Sequence, residues 1–195
     1  MKAFATKTAC ALVAMLILFT LAVGAQTLDG RAASESGTSV YKIGDIGPAG
    51  GLVFYDKGND AEGWRYLEAA PADQSDKIIW FNGKYLDIKT GTAVGTGRAN
   101  TEAIIAAQGE GAYSAMLCKK LLINGYSDWF LPSKDELDLM YKNLKKSGLG
   151  GMKGSWLWSS SQYNDFNAWK QGFADGSQAN HSKGGVGGVR AVRAF

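Results

Sequence analysis

Residues 131–151 read LPSKDELDLMYKNLKKSGLGG, and this stretch carries the most complete helix signal in the chain. Ser133 is followed three residues later by Glu136, a capping box in which each side chain bonds the backbone N–H of the other residue. Ser147-Gly148 ends the segment directly after two lysines, whose charge suits the negative end of a helix dipole. Apolar residues recur at the spacing of one helix face, namely Leu137, Met140, Tyr141 and Leu144. The sequence therefore predicts a helix that starts after Ser133 and packs this face against a core.

Two further helices are predicted before this stretch. Asn100 or Thr101 is placed to cap a helix over 102–108. A second helix is predicted over 113–123, where one apolar stripe consists of Met116, Leu117, Leu121 and Leu122. Cys118 falls inside it, and a small buried apolar role is favoured over a reactive thiol because no histidine or second cysteine lies nearby in the sequence.

Short strands are predicted on the N-terminal side of the helices. The apolar runs that indicate them cover 52–55, 64–69 and 78–81. Asn82-Gly83 then favours a tight hairpin turn, with 85–88 as the partner strand.

A second group of strands is predicted after Gly154. Large side chains alternate there with small or polar ones in 155–162, 167–178 and 189–195, and Asp175-Gly176 indicates a hairpin turn. Strands, helices and strands thus follow one another in separate groups. This order predicts a single α+β domain with short antiparallel strands and about three helices, rather than a doubly wound α/β sheet.

The N-terminus has the pattern of a secretory signal peptide. Lys2 and Lys7 precede an apolar run over 9–23, and small residues follow at Gly24 and Ala25. We expect a signal peptide over 1–25 and cleavage after Ala25; a transmembrane anchor is the alternative, for which the apolar run is short. Residues 26–39 are small and polar and predict a flexible leader, so that the domain covers 40–195. The expected location is periplasmic, cell-surface or secreted.

Charge and composition exclude several partners and chemistries. Cleavage would lower the 21 basic residues to 19, against 18 acidic ones, so that no broad basic field remains to bind nucleic acid or an anionic membrane. Cys118 would be the single remaining cysteine, which excludes an internal disulfide. With His181 as the one histidine, a Cys/His zinc site and a triad that needs a His base are both disfavoured. We expect no metal, no cofactor and no catalytic residue, and therefore no enzyme.

The acidic residues have ordinary structural explanations. Asp56, Asp60 and Glu62 lie close together and could hold calcium, but their spacing is irregular and Lys57 competes with a cation, which favours a solvated loop. Asp128 is expected to bond its local backbone in an Asx turn.

Five blocks resemble a known family. GPAGGLVFYD, GWRYLEAAPAD, NGYSDWFLPSKDEL, WLWSSS and the terminal VRAVRAF closely resemble the Lcl C-terminal domain family of bacterial exported domains, over 41–195. The resemblance implies a C-type-lectin-like fold, of the kind also found in formylglycine-generating enzymes. It also implies a role in extracellular binding or adhesion.

The end of the chain, NAWKQGFADGSQANHSKGGVGGVRAVRAF (167–195), is similar to the variable region of proteins that retroelements diversify by adenine mutagenesis of Asn-rich templates. The resemblance implies variable, ligand-binding positions at Lys170, Gly172, Ala174, Asp175, Ser177, Ala179, Asn180, His181 and Ser182. It implies scaffold roles for Trp169, Phe173, Lys183, Arg190 and Arg193. Trp129, Trp158 and Trp169 are expected to be scaffold residues on their own sequence signals, since each lies beside a strand or turn signal with apolar neighbours. Each variable position except Lys170 carries a residue that a mutated Asn codon can encode, although a preference for small residues in loops would give much the same list.

This resemblance sets a geometric expectation. The variable side chains should project from one outer surface, while Trp169, Gln171 and Phe173 turn toward the scaffold. Arg190 and Arg193 either anchor the last strand through charge-assisted bonds or are exposed strand charges.

The expected function is an exported, non-enzymatic ligand-binding protein with a diversified C-terminal surface, whose partner is a protein or a glycan. The alternative is a surface adhesin or glycan-binding module of the same fold with fixed specificity. An enzyme of the formylglycine-generating type is a third alternative, disfavoured because that chemistry uses cysteine or metal ligation and Cys118 lies inside a predicted helix.

Overall fold

The computed structural model describes residues 40–153 and 155–195. The predicted signal peptide (1–25) and leader (26–39) lie outside these residues. No helix in the described part of the chain is both long and apolar enough to cross a membrane.

The described residues form eight strands and three α-helices. The strands are β1 (Leu52–Asp56), β2 (Tyr66–Ala69), β3 (Ser75–Ile79), β4 (Trp156–Gln162), β5 (Asn167–Gly172), β6 (Gln178–Ser182), β7 (Val186–Val189) and β8 (Val192–Ala194). The helices are α1 (Gly97–Gln108), α2 (Ser114–Lys119) and α3 (Lys134–Asn143), with short 3-10 turns at Ala61–Gly63 and Lys145–Ser147.

The strands belong to two sheets. One has three antiparallel strands in the order β1-β2-β8, and the other has five in the order β3-β7-β4-β5-β6, where only β4 and β7 are parallel. The helices lie together in sequence between the two groups of strands. The predicted α+β class is thus confirmed.

The predicted capping box is present at α3. Ser133 Oγ accepts from the backbone N–H of Glu136 at 3.2 Å, and Glu136 Oε2 accepts from the N–H of Ser133 at 2.7 Å. Glu136 Oε1 also accepts from the N–H of Gly95 at 2.8 Å, so that one buried carboxylate joins the starts of α1 and α3. Burial raises the pKa of this carboxyl, against the lowering effect of its hydrogen bonds.

The structure differs from the predicted boundaries of the first two helices. α1 begins at Gly97 rather than after Asn100 or Thr101, and Asn100 instead donates to Gly91 O and accepts from Gly91 N, both at 2.8 Å. A Cβ on Gly97 would lie 2.2 Å from Glu136 Oε2, so the start of α1 needs a glycine there. α2 ends at Lys119, four residues before the predicted end.

The hairpin predicted at Asn82-Gly83 is wrong. The strand on its N-terminal side is β3, which ends at Ile79, and 85–88 form no strand. Asn82 Nδ2 donates to Glu110 O at 2.7 Å and its backbone N–H donates to Gln108 Oε1 at 3.0 Å. The Asn-Gly pair therefore attaches a loop to the end of α1 instead of closing a hairpin.

Buried side chains form two clusters, and both contain large aromatic residues. The larger one contains Trp80, Trp129 and Trp158, and the second contains Phe54 and Phe173 with the apolar face of α3. Trp129, Trp158 and Phe173 are thus buried, as their predicted scaffold roles require. Cys118 is also buried, and burial raises the pKa of its thiol, which agrees with a packing role.

The C-terminal strand is held by two arginines. Arg190 Nε donates to Asp73 at 2.6 Å, and Arg193 donates to Glu68 at 2.9 Å and to Asp128 at 2.5 Å. Both arginines are largely buried, so the anchoring role is confirmed and the exposed alternative is wrong. Asp128 also departs from its predicted Asx turn, because its carboxylate binds Arg193.

Replacing Arg193 by Ala should destabilise the domain by about 3 to 5 kcal/mol, because the fully buried carboxylate of Glu68 would lose its charged partner. Urea unfolding followed by tryptophan fluorescence measures this change. The matched control is Arg65→Ala, which breaks the more exposed pair with Asp56 and should change the unfolding midpoint much less. Equal midpoints for both variants would contradict the central role of Arg193.

Candidate functional site

Four of the predicted binding residues, Lys170, Gly172, Ala179 and His181, lie on one side of the five-stranded sheet. In the antiparallel register, Trp158 stands opposite Lys170 and Lys170 stands opposite Ala179. Directly opposed residues project to the same side of a sheet. We call this side the C-terminal face, and it comprises Trp156, Trp158, Lys170, Gly172, Ala179 and His181.

Lys170 lies at the centre of the C-terminal face, and only 5% of its surface is exposed. Its Nζ donates to Val186 O at 2.7 Å and lies 3.9 Å from the centroid of the Trp158 ring. Close packing against Gly187 makes this position of the Lys170 side chain possible, since a Cβ on residue 187 would lie 2.8 Å from Lys170 Cε. Burial lowers the pKa of Lys170 to about 8.

His181 and Trp156 border Lys170 on the same face. The His181 and Trp156 rings meet edge to face, with centroids 5.1 Å apart. A Cβ on Gly172 would lie 3.4 Å from Trp156 Cε2, so the indole lies over this glycine. The pKa of His181 is lowered by burial and, to a smaller extent, by the charge of Lys170, which favours the neutral imidazole.

Helix α3 and two side-chain hydrogen bonds fix the turn between β5 and β6. Gly176 adopts φ +83°, and a Cβ there would lie 2.2 Å from the Tyr141 ring, so α3 supports the turn directly. Gln171 Nε2 donates to Gly176 O at 2.8 Å. Asp175 Oδ1 accepts from the backbone N–H and the hydroxyl of Ser177, at 3.0 and 2.7 Å. The predicted turn at Asp175-Gly176 is therefore present on a rigid base.

The nine predicted variable positions do not share one outer surface. Five are exposed, namely Ala174, Asp175, Ser177, Asn180 and Ser182. Ala179 and His181 are half-buried, whereas Lys170 and Gly172 are buried. Alternation along β6 also sends Asn180 and Ser182 to the side opposite His181. The expectation of a single display surface is thus wrong for these positions.

The orientation expected along β5 is reversed in part. Lys170 was expected to point outward and Trp169 inward, but Lys170 is buried and Trp169 is half-exposed. The Trp169 ring packs edge to face on Tyr163 at 5.3 Å, and Lys134 Nζ lies 4.8 Å from it. Gln171 is buried, as expected. The reversal arises because both sides of this sheet are covered near β5, so period two alone cannot distinguish them.

Two further residues shape this region: Trp156, which the sequence analysis did not single out, and Lys183, which it placed at a scaffold position without indicating its bonds. Trp156 is 37% exposed on the C-terminal face, and its period-two spacing from Trp158 in WLWSSS could have placed it there. Lys183 is fully buried, and its Nζ donates to Leu86 O, Gln162 Oε1 and Asp165 O at 3.1, 2.6 and 2.7 Å. No local pattern indicates this burial, because its three acceptors come from distant parts of the chain.

The acidic loop is organised by internal ion pairs. Asp56 accepts from Arg65 Nε and NH2 at 2.8 and 3.0 Å, and Glu62 lies 3.5 Å from Lys57 Nζ. The hydrogen bond from Arg65 is the main reason why the pKa of Asp56 is lowered. Within 40–153 and 155–195, no group of three or more His, Cys, Asp and Glu side chains is arranged to hold a metal ion.

The fold and the C-terminal face define an α+β domain with a partly buried, aromatic and cationic sheet surface. Neither protein-family models nor curated proteins match this chain. Among solved structures, it is similar to a fimbrial protein from Bacteroides ovatus ATCC 8483, with 11% identity and a TM-score of 0.49. The match covers 83% of this chain and 40% of that protein.

The two buried lysines should respond differently to replacement by Met. Lys170→Met should leave the melting temperature unchanged or raise it, because a buried charge with one hydrogen bond is replaced by an apolar chain of similar size. Lys183→Met should lower the melting temperature, because three acceptors lose their donor. Thermal unfolding by circular dichroism measures both.

The dependence of the free energy of unfolding on pH gives an independent check of the burial of Lys170. Its pKa is lowered from 10.5 to about 8, so the unfolded chain binds more protons between these values and stability from this group rises with pH across that window. Lys170→Met should remove this part of the rise. A variant that unfolds, or that keeps the full pH dependence, would contradict the burial of an ammonium that has no ion pair among residues 40–153 and 155–195.

Proposed function

We propose that this protein is an exported, non-enzymatic ligand-binding protein, whose C-terminal face and β5–β6 turn bind a protein or a glycan. The observation that carries the proposal is the turn itself. Exposed Ala174, Asp175 and Ser177 stand on a base fixed by Gly176 against Tyr141. A rigid base lowers the entropy that a loop loses when it binds, and this favours affinity.

We also propose that the domain is C-type-lectin-like and related to the Lcl C-terminal domain family. The five sequence blocks carry this proposal, and the α+β architecture is compatible with it. In its diversified form, the proposal limits retroelement-type variation to the five exposed positions, since buried positions tolerate few side chains.

A specific observation favours the second candidate, a module of the same fold with fixed specificity. Lys170 and Gly172 both lie inside the proposed variable region and both are buried. The DNA around the gene distinguishes the two candidates. A nearby reverse transcriptase gene and a near-repeat of the coding sequence for 167–195 are required by diversification and not by fixed specificity.

A library randomised at Ala174, Asp175, Ser177, Asn180 and Ser182 should fold in most members, because exposed substitutions usually change stability by no more than about 0.5 kcal/mol each. Selection from it should give binders to unrelated proteins or glycans. Display on phage with a conformation-sensitive antibody measures the folded fraction.

The matched control library randomises Lys170, Gly172 and Gln171, which are buried, and should contain far fewer folded members. A folded exposed-position library that gives no binders to any target would overturn the diversified binding function. Similar losses of folding in both libraries would show that the turn belongs to the packed structure.

Export predicts a mature chain that begins at Gln26, since cleavage is expected after Ala25. Intact-mass measurement of protein recovered outside the cytoplasm tests this start. A recovered mass that includes residues 1–25 would show an uncleaved anchor. As a control, a variant with Ala25→Leu should be cleaved less efficiently, because the cleavage position requires a small residue.

A further inference from the structure

A cavity of about 270 Å³ opens between the first turns of α1 and the three-stranded sheet. Its apolar walls come from Trp64, from Leu67 of β2 and from Phe130. Leu67 and Phe130 are buried and Trp64 is half-buried, whereas Glu62 and Glu102, which also line the cavity, are exposed. The cavity is therefore open to solvent above a packed floor. Its volume is near the lower end of the range for small-molecule sites, about 300 Å³.

The protein itself holds the aromatic wall of this cavity in place. Lys57 Nζ lies 4.2 Å from the centroid of the Trp64 ring and 3.5 Å from Glu62 Oε2. A Cβ on Gly95 would lie 3.3 Å from Trp64 Cζ2, so the indole also packs against backbone. Glu62 has φ +67°, a left-handed conformation that is uncommon for residues other than glycine and that persists only where the surroundings determine it. The wall thus exists before any ligand binds.

Two oppositely charged residues of α1 line the cavity one helical turn apart. These are Arg98 and Glu102, and residues four positions apart on a helix have Cβ atoms about 5–6 Å from each other. Arg98 does not turn to Glu102, since its Cζ lies 5.2 Å from the centroid of the Phe130 ring and its NH2 lies 3.7 Å from Asp128 Oδ2. An acid that follows a base along the helix is also the less favourable order for such a pair. Among residues 40–153 and 155–195, Glu102 forms no ion pair.

The guanidinium of Arg98 is accessible to a ligand. Its side chain is 43% exposed, and its contact with Asp128 is too long for a hydrogen bond. The other oxygen of that carboxylate accepts from Arg193 at 2.5 Å. A guanidinium presents its N–H groups as a planar fork that matches the two oxygens of a carboxylate. Arg98 can therefore bind a carboxylate without losing a hydrogen bond to Asp128.

The two charges select a ligand that carries both signs. A purely cationic ligand at Glu102 would be repelled by Arg98, and a purely anionic ligand at Arg98 would be repelled by Glu102. An ammonium and a carboxylate on one carbon atom suit both residues across a single helical turn. A hydrocarbon side chain on the same carbon atom then suits the apolar walls.

We propose that this cavity binds a free α-amino acid with an apolar side chain. Arg98 binds the carboxylate, Glu102 binds the ammonium, and the side chain of the ligand lies against Trp64, Leu67 and Phe130. The cavity has no residue in common with the C-terminal face or the β5–β6 turn. It is a second site, whose ligand does not depend on the function proposed for that face.

The test compares L-leucine with two analogues that each lack one charged group. Isocaproate is leucine without the ammonium, and isoamylamine is leucine without the carboxylate. Binding to the full mature protein is followed by NMR, through the Trp64 indole and the backbone signals of Gly95 and Ala99, which line the cavity. Leucine should bind at least about tenfold more tightly than either analogue, because a hydrogen bond to a charged group contributes about that factor.

Each charged residue should act on one group of the ligand. Arg98→Gln should weaken leucine at least about tenfold without weakening isoamylamine, which has no carboxylate to lose. Glu102→Gln should weaken leucine by a similar factor without weakening isocaproate, which has no ammonium. Circular dichroism should show that both variants are folded, since both positions are at least half-accessible or exposed on α1 and glutamine is a good helix former.

Glu110→Gln is the matched control for Glu102→Gln. Glu110 is an exposed glutamate outside the cavity, and its carboxylate lies 2.7 Å from Lys120 Nζ. This variant should keep the full preference for leucine. A loss of the preference in Glu110→Gln would indicate an effect of net charge and overturn the assignment of Glu102.

Several results would overturn the amino-acid site. One is the absence of shifts at Trp64, Gly95 and Ala99 with leucine, methionine and phenylalanine. Another is leucine binding that is no tighter than that of both analogues, or a preference that survives in both cavity variants. Tighter binding of isoamylamine than of leucine would instead indicate the cationic side chain of a protein partner. The comparison of the three ligands on the wild-type protein decides the inference even where a variant fails to fold.

Discussion

The buried carboxylate of Glu68 connects the first segment of the domain to its last strand. It accepts hydrogen bonds from the N–H groups of Ala49 and Gly51, at 3.3 and 3.1 Å, and from Arg193 at 2.9 Å. A Cβ on Gly47 would lie 2.5 Å from Glu68 Oε2, and one on Gly51 would lie 2.2 Å from Ala69 O. The first segment of the domain therefore wraps a charge on β2 that the last strand neutralises. Such a pair need not add much stability, but removal of either partner is costly, so it fixes the arrangement of the chain.

The same network explains why separate sequence blocks occur together. The glycines of GPAGG surround Glu68 from GWRYLEAA, and Arg193 from VRAVRAF binds both Glu68 and Asp128 from NGYSDW. The Arg193 guanidinium also lies 4.0 Å from the centroid of the Tyr126 ring. WLWSSS joins the helices instead, because Ser161 Oγ accepts from the N–H of Lys134 at the start of α3. Each block supplies one part of a polar framework that no block could form alone.

Local signals in the sequence predicted the elements that depend on local bonds. α3 was predicted from its capping box and apolar period, and the turn at Asp175-Gly176 from its dipeptide, since bonds within a few residues determine both. The predictions that are wrong concern segments whose hydrogen bonds go to residues far away in the sequence. The Asn82-Gly83 hairpin yields to bonds with the end of α1, and the predicted start of the first helix moves to Gly97 because Glu136, far along the chain, binds its first turn. The burial of Lys170 also depends on residues from three strands and could not follow from alternation within β5.

The C-terminal face and its adjoining turn combine small, polar side chains with one buried ammonium group. Gly, Ala and Ser offer little apolar area, so the exposed turn presents polar groups and a fixed backbone rather than a hydrophobic surface. A charge is different, because its interaction with an opposite charge strengthens as water is excluded. Lys170 is held in such an environment by Trp158 and Gly187, and its ammonium has one hydrogen bond among the described residues, to Val186 O. Small side chains thus surround a buried ammonium, whose position depends on the packing of Trp158 and Gly187 rather than on an opposite charge among the described residues.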